Sequence, residues 1–251
     1  MKYSNIFLSK ITKELMELKN PEKGKFLLRF FKTGKGQYGE GDEFLGITVP
    51  EQRKIARKYI DLELRDLSEM LNNKFHEIRL VALFILVYKY NKAVDASASS
   101  HSAGSGQAAQ EKKKIVDFYL KNTKRVNNWD LVDSSAGYIL GDYLADKDKA
   151  ILYKLVKSEN LWERRIAIIS TQGFIRINQF DETLKIAEIL LNDKEDLIHK
   201  AVGWMLREVG KKDLGSELKF LDKYHQNMPR TMLRYAIEKF PKPAREFYMK
   251  K

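Results

Sequence analysis

Apolar residues recur along nearly the whole chain at intervals of three and four, which is the spacing of one face of an α-helix. In the first segment, residues 4–19, the apolar positions are Ile6, Phe7, Ile11, Leu15 and Leu18. Asn20 and Pro21 follow as a helix-capping residue and a proline suited to the first helical position. They predict a second helix that continues from Gly24 to Lys32.

The same pattern predicts helices through the rest of the chain. Thr48-Val49-Pro50-Glu51 combines a cap, a proline and an acid in the first turn, which indicates another helix start. Further helices are predicted at roughly 62–72, 76–91, 111–122, 126–144, 148–158, 161–175, 181–192, 195–210, 215–225 and 228–240. No sustained alternation of apolar and polar residues indicates a strand, so the predicted class is all-α.

Several predicted helices share a basic residue followed three positions later by a small one. The pairs are Arg53/Ala56, Arg79/Ala82, Arg164/Ala167 and Lys200/Gly203. Asp130/Asp133 occupies the same register with acids, 34 positions before Arg164, and Lys200 follows Arg164 by 36. A period near 35 with paired helices predicts HEAT-like repeats. We therefore expect residues 1–251 to form one domain, an α-α superhelix coiled as a right-handed solenoid.

Residues 96–110, ASASSHSAGSGQAAQ, interrupt this period. Arg79 and Asp130 lie 51 positions apart, and the spacing becomes 36 when these 15 residues are removed. The stretch is rich in Ala, Ser and Gly, which is typical of a flexible insertion between two helices or of a segment that is foreign to the natural protein. We expect it to carry no chemistry and His101 within it to be inert.

The loop at 34–41 contains Gly34, Gly36 and Gly39 in the order G-x-G-x-x-G. A dinucleotide site requires a strand before this motif and a helix that opens inside it. Here a predicted helix precedes the motif and the next helix begins only near Pro50. The prediction is therefore a connecting loop.

Composition narrows the function classes. The net charge is +12, from 46 Lys and Arg against 34 Asp and Glu, which favours nucleic acid as a partner over a membrane surface. Solvated lysines without a partner are the alternative. With no cysteine, thiolate metal sites and cysteine nucleophiles are excluded. The sequence has no apolar run long enough to span a membrane and no secretory segment, so we expect a cytoplasmic location.

The chain offers few residues for catalysis. None of the four histidines lies at metal-ligand spacing, and no H-E-x-x-H, Walker or G-x-S-x-G motif occurs. We expect no cofactor. The three tryptophans, Trp129, Trp162 and Trp204, stand in helical patterns, where a tryptophan most often packs between helices.

Several ordered motifs together resemble one family, the AlkD-type DNA alkylation repair glycosylases. The resemblance runs from about residue 5 to 240, interrupted at 96–110. It rests on Phe44-Leu45-Gly46-Ile47 with Pro50, Asn128-Trp129-Asp130-Leu131-Val132-Asp133, Leu161-Trp162-Glu163-Arg164-Arg165-Ile166-Ala167, Lys200-Ala201-Val202-Gly203-Trp204-Met205-Leu206-Arg207-Glu208 and Met228-Pro229-Arg230-Thr231-Met232-Leu233-Arg234-Tyr235-Ala236.

The resemblance implies a basic HEAT-like protein that hydrolyses the N-glycosidic bond of N3- and N7-alkylated purines in duplex DNA, without placing the base in a pocket. Carried over by motif, Asp133 is the catalytic carboxylate, and Trp129 and Trp204 contact the deoxyribose. Arg165 holds the DNA backbone, and Arg207 is a second candidate for a phosphate contact. A solenoid that grips a duplex has no need to dimerise, so we expect a monomer.

The chemistry of the substrate agrees with a single prominent carboxylate. An alkylated purine is cationic and leaves without protonation, so the acid–base pair of ordinary glycosidases is unnecessary. Asp133 could stabilise the positive charge that develops on the sugar and orient the attacking water. Faces of Trp129 and Trp204 would add cation–π stabilisation.

Two alternatives stay open. Asp133 could bond a neighbouring repeat, although Asp130, Asp142 and Asp146 are better candidates for that role. Asn128 stands where some relatives carry another aromatic residue, so the wall beside the lesion would be less complete. The second hypothesis for the whole protein is a non-catalytic HEAT-like scaffold that binds DNA or protein.

Overall fold

A computed structural model describes residues 2–99 and 104–250. Within these ranges the chain is helical and has no strand; Glu43 and Phe75 form an isolated parallel bridge. The all-α class is therefore confirmed. No helix among the described residues is long and apolar enough to cross a membrane. The side chains of Ile6 and Phe7, and all of His101, lie outside what the structure describes.

The chain divides into two compact units, residues 1–135 and 136–251. In the first unit the helices are α1 Lys2–Glu17, α2 Pro21–Phe30, α3 Val49–Lys58, α4 Leu64–Leu71, α5 His76–Ser99, α6 Gly104–Lys121 and α7 Trp129–Asp133, with a 3-10 turn at Thr123–Arg125. The expected single domain over residues 1–251 stays a prediction.

The second unit begins with a π-helical turn, Gly137–Gly141. Its α-helices are α8 Asp142–Leu144, α9 Ala150–Leu155, α10 Leu161–Arg176, α11 Asp181–Ile189, α12 Asp196–Gly210, α13 Leu214–Tyr224, α14 Arg230–Ala236 and α15 Lys242–Met249. Short 3-10 turns extend two of them, at Leu190–Asn192 and Ile237–Lys239.

Each unit is built from helices that contact their next and next-but-one neighbours along the chain. In the first unit α3 and α4 both pack on α5, and in the second α10 packs on α11 and α12 while α12 packs on α13 and α14. This contact pattern is typical of stacked helical repeats.

The predicted helix starts are confirmed by their caps. The Asn20 side chain accepts a hydrogen bond from the Lys23 amide at 3.0 Å, and Pro21 occupies the first turn of α2. Thr48 and Glu51 form a capping box at the start of α3. Local sequence therefore defines where these helices begin.

The small residues of the repeat pattern do permit close packing. Ala56, Ala82 and Ala167 are fully buried. A Cβ added to Gly203 on α12 would lie 2.3 Å from the Met232 oxygen on α14. At Gly203 the lack of a side chain therefore lets α12 and α14 approach closely.

The predicted helix at 126–144 is interrupted in the structure. It becomes α7, a π-helical turn and α8. The Ser135 hydroxyl donates to the Leu131 carbonyl at 2.6 Å, a local bond that perturbs the backbone ladder. In the second unit, a Cβ at Gly141 would lie 2.1 Å from the Ser170 oxygen of α10. Tertiary packing therefore decides this segment, which sequence periodicity alone treated as one helix.

Helices also extend into the low-complexity segment 96–110. α5 continues to Ser99 and α6 starts at Gly104, so the described parts of the segment are helical. Ala108 on α6 is buried. The segment's predicted helix boundaries, at 91 and 111, are therefore wrong.

Candidate active site

Helix α7 is one turn long and carries both Trp129 and Asp133. The two residues are half-buried, and their spacing of four places them on one face of the turn. Asn128 caps the helix, because its side-chain oxygen accepts the Trp129 amide at 2.8 Å. So short a helix is marginal by itself and needs tertiary anchors.

The first anchor is Asn128, whose side chain is fully buried. Its amide nitrogen donates to Oδ2 of Asp42 at 3.0 Å, and its oxygen caps α7. One amide group therefore ties the start of α7 to the loop before Phe44.

The second anchor is Asp130, in the middle of α7. Its Oδ2 lies 2.7 Å from Nε2 of His76 on α5. The other ring nitrogen of His76 lies 3.2 Å from Oδ2 of Asp42. The imidazole is 2% exposed, so it bridges two carboxylates out of contact with solvent.

Electrostatics keep this bridge charged. Burial by itself lowers the pKa of His76, but the charge of Asp130 and the hydrogen bonds to Asp130 and Asp42 outweigh burial and raise it to about 9. The imidazolium therefore donates from both nitrogens at neutral pH. Arg79 donates to the second oxygen of Asp42 at 2.6 Å.

Asp42 completes a balanced buried cluster. Burial by itself raises the pKa of Asp42, yet hydrogen bonds from His76, Arg79 and Asn128 and the charge of Arg79 hold it below its usual range. Two carboxylates thus face two cations. A buried charge is tolerated when it is paired in this way. Asp130 accordingly has the packing partner that the repeat register suggested.

Asp133 is half-buried, like Asp130, and lies at the last position of α7. Burial raises the pKa of the Tyr119 hydroxyl, the bond to Ser135 lowers it, and the charge of Asp133 raises it further. The Asp133 carboxylate therefore lies within electrostatic reach of this hydroxyl while retaining partial exposure.

The indole of Trp129 is held by aromatic neighbours. It stacks on Phe31 at a centroid distance of 5.1 Å and meets Phe30 edge-on at 5.9 Å. Its Nε1 donates to the Tyr38 hydroxyl at 3.3 Å. Phe31 in turn stacks on Phe44 at 4.8 Å. The orientation of Trp129 is thus restrained from several sides.

Tyr38 belongs to the glycine-rich loop. Gly36 and Gly41 there have φ angles of +73° and +86°, and α3 starts only at Val49. No strand precedes the loop within the described chain, so the prediction of a connecting loop is confirmed. The loop contributes the Tyr38 hydroxyl, which accepts the hydrogen bond from Nε1 of Trp129.

Trp204 lies on α12 in the second unit. It is half-buried, and its Nε1 donates to Oε1 of Glu208 at 3.0 Å. The predicted convergence of Trp204 with Trp129 and Asp133 stays a prediction. Trp162, by contrast, is buried on α10, in agreement with a packing role.

The two predicted DNA-binding arginines have partners inside the second unit. Arg165 on α10 is 4% exposed and donates to the Leu197 carbonyl of α12. Arg207 is half-buried and pairs with Glu238, and its Nε lies 3.7 Å from Glu208. Phosphate binding by either arginine stays a prediction.

Sequence reasoning missed the residues that position α7. His76 lies at no metal-ligand spacing, and no sequence pattern singles out Asp42, Tyr38 or Phe31. Asp42 and Asn128 are 86 positions apart, so no periodicity links them. One sequence feature could have pointed to these neighbours: Phe26, Phe30 and Phe31 form an aromatic-rich segment just before the glycine-rich loop.

A family model described as DNA alkylation repair enzyme matches residues 11–240. No curated protein sequence matches.

Two solved structures have a similar fold. One is a predicted DNA alkylation repair enzyme from Enterococcus faecalis, at 18% identity and a TM-score of 0.62, with 89% of this chain and 97% of that chain covered. The other is AlkD2 from Streptococcus mutans, at 17% identity and a TM-score of 0.51, with 95% and 99% covered.

Proposed function

The chain belongs to the family of DNA alkylation repair enzymes, and on that premise we propose that it is a DNA glycosylase of base excision repair. Its substrates are N3- and N7-alkylated purines in duplex DNA. The observation that carries the proposal is the pairing of Trp129 with Asp133 on one anchored turn. Both Asp133 and Asp130 are half-buried, and Asp130 is held by the buried ring of His76.

The reaction needs little from the protein beyond charge and position. The bond between C1′ and the purine nitrogen breaks, and its electron pair neutralises the cationic base. The sugar becomes an oxocarbenium ion, which the Asp133 carboxylate stabilises. Asp133 then accepts a proton from water as the water oxygen bonds to C1′.

Trp129 supports this step through its π face. A cation near an indole face gains roughly 0.5–2 kcal/mol. The rings of Phe31 and Phe30 fix the indole, so the face is oriented before the substrate arrives. Trp204 is proposed to act on the same sugar, with Arg165 and Arg207 holding phosphates.

The alternative is a non-catalytic helical scaffold that binds DNA or protein. The observation that favours it is that Arg165 and Arg207 already bond groups of their own unit. The scaffold hypothesis expects no base release under any condition.

Release of 7-methylguanine or 3-methyladenine from methylated duplex DNA tests the proposal. Asp133→Asn should lower release by about two to three orders of magnitude, as removal of one electrostatic stabiliser does, with DNA binding retained. Asp61→Asn is the matched control, because Asp61 is 87% exposed in the same unit and pairs only weakly with Lys92. Equal release by wild type and Asp133→Asn would contradict the proposal.

A further inference from the structure

The glycine-rich loop, residues 34–41, brings one side chain to the proposed site. The hydroxyl of Tyr38 accepts the Nε1 proton of Trp129 at 3.3 Å, across 91 positions of sequence. Both side chains are half-buried. An indole N–H can only donate, so a half-buried Trp129 needs an acceptor at this edge of its ring. The loop therefore supplies a specific partner to a residue of the proposed reaction.

Hydrogen bonds inside the loop hold Tyr38 in place. The Gly36 amide donates to Oε2 of Glu40 at 2.7 Å, and the Gly34 amide donates to Oε1 of Gln37 at 3.0 Å. The residues of these two contacts lie on both sides of Tyr38 in the sequence. The loop thus presents the Tyr38 side chain from a backbone that is bonded to itself.

Gly39 seats the loop on the end of α2. Its amide donates to the Lys32 carbonyl at 3.2 Å, and a Cβ added to Gly39 would lie 2.5 Å from the Phe31 carbonyl oxygen, an approach that only glycine permits. The side chain of Phe31 stacks on the indole of Trp129 at 5.1 Å. Phe31 therefore supports the loop through its backbone and Trp129 through its ring, which sets the position of Tyr38 relative to the indole.

Stacking on Phe31 fixes the plane of the Trp129 indole but leaves one choice open. The χ2 angle of a tryptophan has two broad wells related by a half-turn, and a stacked ring can occupy either because both of its faces are aromatic. The half-turn exchanges the two edges of the ring. Nε1 therefore meets Tyr38 in one well and lies on the opposite edge in the other, so the hydrogen bond selects the observed well.

The selected well decides which part of the indole is offered to a cation. The negative potential of an indole face is greatest over the six-membered ring, and the half-turn moves this ring to the other side of the Cβ–Cγ bond. We propose that Tyr38 is a positioning residue that, through Trp129, places the six-membered ring for the oxocarbenium ion. The inference rests on the proposed function and names a further residue on which its rate depends.

Tyr38→Phe tests this role, because it removes the hydroxyl and keeps the ring. We expect release of 7-methylguanine from saturating methylated duplex DNA to slow about fivefold, which corresponds to the loss of one ordinary hydrogen bond. KM and the dissociation constant for duplex DNA should change by less than about twofold, because orientation affects the transition state and not the binding of DNA.

Tyr153→Phe is the matched control. Tyr153 is half-buried like Tyr38, and its hydroxyl also makes a side-chain hydrogen bond, to Glu182 in the second unit. The release rate of this variant should equal that of the wild type. Equal slowing in the two variants, or a Tyr38→Phe rate equal to the wild-type rate, overturns the positioning role and leaves the glycosylase proposal standing.

The indole N–H resonance of Trp129, assigned by its loss in Trp129→Phe, reports the restraint without catalysis. Tyr38→Phe should shift this resonance and speed its exchange with water about fivefold, whereas Tyr153→Phe should leave it unchanged. If the wild type releases no base, the glycosylase proposal fails and the resonance alone decides whether Tyr38 holds the indole. An unshifted resonance in Tyr38→Phe overturns the restraint.

The variant Trp129→Phe also shows whether Tyr38 acts through the indole. Its side chain has no N–H, so adding Tyr38→Phe to it should slow single-turnover release no further. A further loss of about fivefold in the double variant would mean that the two changes act independently, and it would overturn the proposed route through Trp129.

Discussion

His76 and Asp130 are joined by a 2.7 Å contact between Nε2 and Oδ2, and this pair connects α5 to α7. His76 also reaches Asp42, so its buried ring holds the loop before Phe44 and the turn that carries Trp129. The proposed catalytic carboxylate, Asp133, lies three residues after Asp130. Its position therefore depends on a histidine with no proposed contact to substrate.

Replacing His76 tests this dependence. His76→Gln leaves Asp42 and Asp130 buried without their imidazolium, and breaking such a pair costs about 3–5 kcal/mol of unfolding free energy. Urea denaturation measures the loss. His225→Gln is the control, because His225 bonds one backbone carbonyl at 2.8 Å, and it should lose about 1 kcal/mol. Similar losses in the two variants would argue against the bridge.

The same pair predicts how stability varies with pH. The pKa of His76 is about 9 in the folded protein, against about 6.5 in an unfolded chain. The folded state holds the proton of His76 more tightly than the unfolded chain does. The contribution of the charged His76 to the free energy of unfolding is therefore complete below about pH 6.5 and is lost as the pH rises to about 9.

The contribution of His76 is measured as the difference in unfolding free energy between wild type and His76→Gln. We expect this difference to shrink by on the order of 3 kcal/mol across that window. Asp42, Asp130 and Arg79 are the charged groups that face the ring. A difference that is constant or grows with pH would contradict the prediction.

Asn128→Ala removes the cap of α7 and a donor to Asp42 together. We expect a loss of about 2 kcal/mol of unfolding free energy and a lower rate of base release. Asp213→Ala is the control, because Asp213 caps α13, which carries no proposed site residue. It should cost about 1 kcal/mol and leave the rate unchanged. Equal rates in both variants would disprove a positioning role for Asn128.

DNA binding tests the role of Arg207. Glu238→Gln removes the carboxylate that pairs with Arg207, so duplex affinity should rise several-fold. Arg207→Gln should lower affinity and reduce the slope of log affinity against log salt by about 0.9. Glu246→Gln, which changes the same charge at a side chain 61% exposed, is the control. An equal rise in Glu238→Gln and Glu246→Gln would assign the effect to net charge alone.

Local patterns predicted the helical class well, because caps and apolar spacing act over one or two turns. Asn20, Thr48 and Glu51 cap the helices that they were expected to start. The same patterns failed between 126 and 144, where Ser135 and the packing of Gly141 on α10 interrupt the helix. They also placed the end of α5 too early and the start of α6 too late, because both helices extend into the low-complexity segment.

The roles of the candidate site residues stay predictions, but some of their local geometry follows from the sequence. Trp129 and Asp133 do share one turn, and Asp130 does have the structural partner that its register suggested. The spacing of residues along one helix is enough for such statements. Identifying His76, Asp42 and Tyr38 as neighbours of that turn required contacts between distant parts of the chain.

By itself the sequence determined the helical class and the helix starts at Asn20 and Thr48, since helical periodicity and capping are local properties. The roles proposed for Trp129 and Asp133 rest on the family resemblance. Only the tertiary structure decided that α7 is anchored by a buried imidazolium and that the rings of Phe30 and Phe31 hold Trp129. The physical reason is that burial and the pairing of charges arise from residues far apart in the chain, and no local pattern records them.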